Sequence, residues 1–347
     1  RSESWSKAFD FFVGKWAGIH PPGDIALRAI YFNVVFAAFP DLQPVPAAMY
    51  FSATLGAIGA LLLIAAARKM GGGFTALLFS MLLASLWGFH NPSLSGMGEG
   101  TVIPFFALQF WLLVKAIVDR SHRLVLASAA AGLVASLFRP EPVFMLPGLC
   151  LGIWYAAGLF TATAYGAIAS SYMLAKTFIP MMLNPKALTV FNFSEYYAFK
   201  GIELTRFHKT GFGNGLINDP FSLAIVPILA VVAVGVLLAH RSTTARSESN
   251  IRDLANLVVV LAAVLYLALT ITSVVTGRTA NASVRLGYLP AYLLLLSASY
   301  AAARLLVPRL RDTLTAFVDR LRAGPPGNRY AAIAAVAALV VAGVVLE

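Results

Sequence analysis

Long apolar runs alternate with short polar breaks along most of this sequence. Runs near 47–67, 72–89, 102–117, 124–138, 143–158, 160–181, 219–239, 254–275, 287–307 and 330–346 are almost free of charge. Several approach or exceed the ~18–20 apolar residues needed to cross a ~30 Å hydrocarbon core. The stretch 25–39, "IALRAIYFNVVFAAF", is shorter and carries Arg28. It fits either a helix at the membrane interface or a tilted span. The pattern therefore predicts an all-α fold, a polytopic transmembrane helical protein of about ten or eleven spans. Segment 308–329 reads differently. Leu310, Leu314, Phe317, Val318 and Leu321 recur at helical spacing with arginines between them, and "GPPG" ends the pattern. That is expected to be an amphipathic helix on the cytoplasmic membrane surface. The chain is thus read as one transmembrane domain, 1–347. Its parts are an outer loop and interfacial helix over 1–46, a core over 47–307, the amphipathic helix over 308–329 and a final span over 330–347.

Composition strengthens this picture. The chain is 59% hydrophobic and 12% charged, with a mean hydropathy of +0.78. Soluble domains carry about 25% charged residues, so a water-soluble globule is excluded. The net charge of +11 raises the question of nucleic acid. The basic residues fall mainly in short loops between spans, where they orient helices and meet anionic lipid, and no basic stripe with interleaved aromatics occurs. Membrane lipids, not nucleic acid, are the expected partner. Cys150 is the one cysteine and lies in an apolar run, which removes intrachain disulfides and makes no case for a cysteine metal site.

Charge also orients the spans. Arg68 and Lys69 end one run, Lys115, Arg120 and Arg123 another. His240 to Arg252 form a third basic segment, and Arg304, Arg309, Arg311, Arg320, Arg322 and Arg329 a fourth. With alternating spans all four fall on one side, which the positive-inside rule makes cytoplasmic. Residues 1–24 then lie outside. "RSESWSKAFDFF" reads as the middle of a protein, and a first span is expected before residue 1. The outer face also receives "HNPSLSGMGEG", "RPEP", the loop 182–218 and "GRTANASVRLGY". Polar, non-repetitive segments gathered on one face suit a site built from loops on a rigid scaffold.

Each of those segments has a chemical and a structural reading. Glu99 lines a pocket at the outer face, or serves as an N-terminal charge against the dipole of the next helix. Pro140 and Pro142 break the chain between two half-spans, with Arg139 and Glu141 flanking the turn. The two pair with each other, or Arg139 binds a phosphate, for which a guanidinium is well suited. Segment 1–24 brings Glu3, Asp10, His20 and Asp24 to the outer face, where a carboxylate can serve as general base, or they are solvated loop residues. In 182–218, Tyr196 and Tyr197 suit sugar rings and Arg206, His208 and Lys209 suit a phosphate. The same residues also suit an aromatic belt. Arg285 either snorkels to head groups or holds a lipid phosphate. No Walker loop, zinc spacing, haem ligand pair or nucleophile elbow is present, and neither a cofactor nor a metal is indicated.

In order along the chain, "GIHPPGDIALRAI", "SLSGMGEGTVIPFF", "SLFRPEPVF" and "VRLGYLPAYLLLL" resemble motifs of the GT-C superfamily of integral-membrane glycosyltransferases. The likeness covers about residues 10–305. The sequence departs from the family pattern in "SGMGE" for "SGME" and "RPEP" for "RPEG". The family's catalytic acid, often in an acidic pair after the first span, has Asp10 as its best counterpart here.

The resemblance implies a polyprenyl-phosphate-linked sugar as donor and a hydroxyl of a cell-envelope glycan, lipid or protein as acceptor. It implies Asp10 as base, with Arg139, Arg285, Arg206, His208 and Lys209 on the donor phosphate. His20, Asp24, Glu99, Glu141, Tyr196 and Tyr197 would contact substrate. The expected place is the plasma (inner) membrane, multi-pass, with the site on the outer face. Two other readings stand beside it: a non-catalytic subunit working with other membrane subunits, and a lipid-linked-sugar transporter. A transporter predicts polar residues at both faces and mid-span.

Overall fold

Glycines and prolines decide where the apolar runs break. The computed structural model describes residues 22–85, 98–139, 141–183, 248–275 and 288–322. Every described element is an α-helix: α1 (Pro22–Ala38), α2 (Pro44–Ser85), α3 (Gly98–Val118), α4 (His122–Phe138), α5 (Glu141–Phe144), α6 (Leu146–Ala157), α7 (Leu159–Leu183), α8 (Glu248–Val275) and α9 (Tyr288–Arg322). Among the described residues four stretches are long and apolar enough to cross a membrane: Val45–Ser85, Gly100–Val118, Asn250–Leu269 and Leu289–Arg309. The chain is a helical protein of membrane-embedded character. The runs expected at 219–239 and 330–346 lie outside the described residues.

At 42 residues, α2 is about 63 Å long at 1.5 Å per residue, roughly twice the hydrocarbon thickness. It breaks at Gly72, whose φ of 82° and ψ of −169° suit glycine and strain other residues. The break falls at the border between the expected spans 47–67 and 72–89. Gly59 lies against Ile103, and Lys69 pairs with Asp119, so the first arm runs parallel to α3. Neighbouring parallel helices need a return between them. The second arm, with Phe79 and Leu83 buried, lies against the bundle.

The remaining contacts fix the direction of each helix. Ser128 donates to the Gln109 carbonyl at 2.7 Å and Phe138 stacks on Phe105 at 4.3 Å, so α4 is antiparallel to α3. His122 meets Thr161 at 3.2 Å and Ser128 lies 3.5 Å from the Tyr165 hydroxyl, so α7 runs with α4. Between them, α6 faces α8 through Gly148-x-x-x-Gly152. A Cβ at Gly148 would collide with the Leu261 carbonyl, and one at Gly152 would lie 2.9 Å from Val258 Cγ2. Small residues four apart let two backbones approach closely where lipid offers no hydrophobic drive. That pairing makes α8 antiparallel to α6.

Finally, Tyr300 of α9 bonds Asp253 near the start of α8, while its ring lies close to Gly71. α9, buried from Leu289 to Tyr300, therefore runs antiparallel to α8 and passes its start at Tyr300. It continues unbroken through Pro308 to Arg322, joining the expected span 287–307 to most of the segment read as a separate amphipathic helix. The bundle consequently has two chemically distinct ends. One gathers Lys69, Asp119, Arg120, His122, Arg252, Asp253 and Arg304. The other gathers the starts of α1 and α3 and the C-terminal end of α4.

Candidate functional site

The second end is built by three helix termini. Pro22 opens α1 in a position where its missing N–H would have no helical partner. Asp24 lies in the first turn, where a carboxylate complements the helix dipole. The start of α1 rests on α4, since a Cβ at Gly23 would lie 2.9 Å from the Leu137 carbonyl oxygen.

One turn on, Arg28 Nε donates to Asp24 Oδ1 at 2.9 Å and to Oδ2 at 3.1 Å. Thr101, fully buried at the start of α3, donates its hydroxyl to Asp24 Oδ1 at 2.7 Å. The Arg28 guanidinium also stands 5.6 Å over the Phe51 ring of α2, and Tyr31 packs on that ring at 4.5 Å. Asp24 thus ties α1 to α3, and Arg28 ties it to α2. With side chains 17% and 20% exposed, the pair is only partly screened by solvent.

Arg139 sits at the same end. It leaves the helical conformation with φ −152° and ψ 145°, and its backbone N–H closes α4 by donating to the Ala135 carbonyl at 3.0 Å. It is half-buried, two residues beyond the Leu137 that Gly23 touches. Pro142 is buried in α5, so the broken turn expected from the two prolines is present as a helix end followed by one short helical turn.

Chemically, this end sets the carboxylate of Asp24 against the guanidinium of Arg28, with Arg139 at the same end. Both Asp24 oxygens accept hydrogen bonds, which suits an anchoring carboxylate better than a proton acceptor. Among the described residues no three of His, Cys, Asp and Glu come together as a metal site.

Of the residues expected from sequence, the structure brings Asp24 and Arg139 to one end of the bundle. Glu99 and Glu141 are in the first turns of α3 and α5 at that end, and their side chains lie outside the described residues. Asp10, His20, Tyr196, Tyr197, Arg206, His208, Lys209 and Arg285 also lie outside them. Sequence reasoning missed two members. Arg28 was visible only as a charge in an apolar stretch, although its spacing of four from Asp24 is the signature of a helical ion pair. Thr101 carries no local signal.

At the opposite end several charges have partners. Lys69 Nζ meets Asp119 at 2.7 Å, and Lys115 stands 5.4 Å over the Trp111 ring. Asp253 is held by Arg304 and by the Tyr300 hydroxyl at 2.6 Å. Compared with known proteins, the chain matches no family model and no curated protein sequence.

Proposed function

We propose that this protein is a membrane glycosyltransferase of GT-C type, moving a sugar from a polyprenyl-phosphate donor to a hydroxyl of a cell-envelope glycan, lipid or protein. The observation that carries the reading is the convergence of Asp24, Arg28, Thr101 and Arg139 at one end of an apolar helical bundle. An isoprenoid tail suits the apolar flank, and guanidinium groups suit the phosphate at its head. The other end carries Lys69, Arg120, Arg252 and Arg304. The positive-inside rule makes that end cytoplasmic and sets the Asp24–Arg139 end on the outer face of the plasma membrane.

In the proposed reaction Asp10 takes the proton of the acceptor hydroxyl, whose oxygen attacks the anomeric carbon with inversion. The bond between that carbon and the phosphate oxygen breaks, and polyprenyl phosphate leaves with the electron pair. Arg139, Arg285, Arg206, His208 and Lys209 balance the charge on the leaving phosphate. His20, Glu99, Glu141, Tyr196 and Tyr197 contact sugar and acceptor. Asp24, with both oxygens engaged, holds α1 and so orients the segment that precedes it.

One observation favours a second reading, a non-catalytic subunit on the same scaffold. The carboxylates of Asp24, Asp119 and Asp253 are each occupied by a cation or a hydroxyl. Donor binding tests the site. Arg139→Ala and Arg285→Ala are expected to weaken binding of polyprenyl-phosphate sugar by about tenfold or more, as loss of a ~1.5–3 kcal/mol charged hydrogen bond predicts. Arg241→Ala, in the basic segment expected on the cytoplasmic side, is expected to leave it unchanged. Unaltered binding in both outer-face variants refutes the phosphate site.

A further inference from the structure

Most buried side-chain hydroxyls in this bundle are satisfied. Thr75 donates to the Gly71 carbonyl, Ser128 to Gln109, Ser136 to Leu133 and Ser299 to Leu295, at 2.6–2.9 Å. Ser52 of α2 breaks this pattern, as does one position on each of α8 and α9. Asn256 is fully buried, and neither Oδ1 nor Nδ2 has a hydrogen-bond partner among the described residues. Ser297, 1% exposed, leaves its Oγ equally without one.

Helix register sets these two positions at one level. α8 and α9 are antiparallel with Asp253 opposite Tyr300. One turn deeper on each helix comes Asn256 on α8 and Ser297 on α9. Three unsatisfied polar atoms at one level of an apolar bundle are rare, because low dielectric makes each one costly. The level is reached through a polar route. Arg304 is 42% exposed, contacts Asp253 and donates to the Tyr300 hydroxyl at 3.3 Å, and Asp253 is 5% exposed just above Asn256. One amide oxygen, one amide N–H₂ and one hydroxyl give a water molecule the two to four partners it needs.

We propose that Asn256 and Ser297 line an internal hydrated site between α8 and α9, entered from the basic end past Arg304, Tyr300 and Asp253. Its ligand is water or another small neutral molecule that both donates and accepts hydrogen bonds. The site is separate from the Asp24–Arg139 end and does not depend on the glycosyltransferase reading.

Thiol chemistry reads hydration directly, because the reactive thiolate forms in water and is suppressed in apolar surroundings. In the full chain carrying Cys150→Ala, reconstituted in liposomes, iodoacetamide labelling of Ser297→Cys is compared with that of Leu296→Cys, a fully buried apolar neighbour. Labelling of Ser297→Cys at least about tenfold faster is expected, and adding Asn256→Leu slows it by filling the site. Equal rates at 296 and 297 overturn the proposal. If Ser297→Cys does not fold, melting of Asn256→Leu decides. A hydrated, bonded amide makes this variant melt lower, whereas a dry, unpaired one makes it melt higher and overturns the proposal.

Discussion

The buried hydroxyl of Thr101 donates a 2.7 Å hydrogen bond to Asp24, which lies 77 positions earlier in the chain. This one bond holds the start of α1 to the start of α3 and fixes where the Asp24–Arg28 pair stands. Thr101→Val keeps the shape and removes the donor. Because the acceptor is charged, a loss of about 1.5–3 kcal/mol is expected. Thr54→Val is the control: its exposed hydroxyl bonds only the Tyr50 carbonyl of its own helix, and a change within about 0.5 kcal/mol is expected. Unfolding of both variants in one detergent checks this. Equal effects would make the Thr101–Asp24 bond energetically idle.

The contact of α6 with α8 makes a second prediction. Gly148 lies so close to the Leu261 carbonyl that a methyl group has no room. Gly148→Ala must push the two backbones apart, and overpacking of this kind costs about 1–3 kcal/mol. Leu151→Ala on the same helix removes a larger group from an exposed position, 44% accessible, and is expected to cost less. Thermal melting of the two variants settles the order. If Leu151→Ala is the more damaging, the glycine contact is not what seats α6.

Topology supplies the third. Asp41 and Arg120 are both exposed and stand at opposite ends of the bundle, Asp41 just before the start of α2 and Arg120 just after α3 beside the Lys69–Asp119 pair. In a Cys150→Ala background, an impermeant thiol reagent applied to intact cells is expected to label Asp41→Cys and spare Arg120→Cys until the membrane is opened. Equal labelling of the two would defeat the assignment of the outer end, and the location of the site with it.

Helix positions were largely legible in the apolar pattern. The runs 102–117, 124–138, 143–158, 160–181 and 254–275 correspond to α3, α4, α6, α7 and α8 within a few residues, because apolar length and Gly or Pro punctuation are local properties. The break at Gly72 was readable for the same reason. The long reach of α9 past Pro308 was not. A proline near the membrane edge looks like a helix end, yet residues on both sides keep the helix continuous.

The site was legible only in part. Arg139 stood out as a charge beside a proline-broken turn, and Asp24 as an acid close to "HPP". Their shared end of the bundle depends on Gly23 meeting Leu137, a contact between residues far apart in sequence that no local window records. Arg28 had a readable partner at helical spacing, whereas Thr101 is an ordinary hydroxyl in an apolar run until the fold brings it to Asp24. The Gly148-x-x-x-Gly152 spacing was present in the sequence as a packing signal, but which helix it receives is set by tertiary structure.

Sugar transfer by the purified full chain in liposomes, offered a panel of polyprenyl-phosphate-linked sugars and envelope acceptors, tests the central claim most directly. Transfer by the wild-type protein with inversion at the anomeric carbon is expected. Asp10→Asn is expected to lose about 10²–10⁴-fold with donor binding retained, the range typical when a general base is removed. Normal turnover in Asp10→Asn would move the base elsewhere. No transfer from any donor by the wild-type protein would contradict the enzyme and leave the non-catalytic subunit in its place.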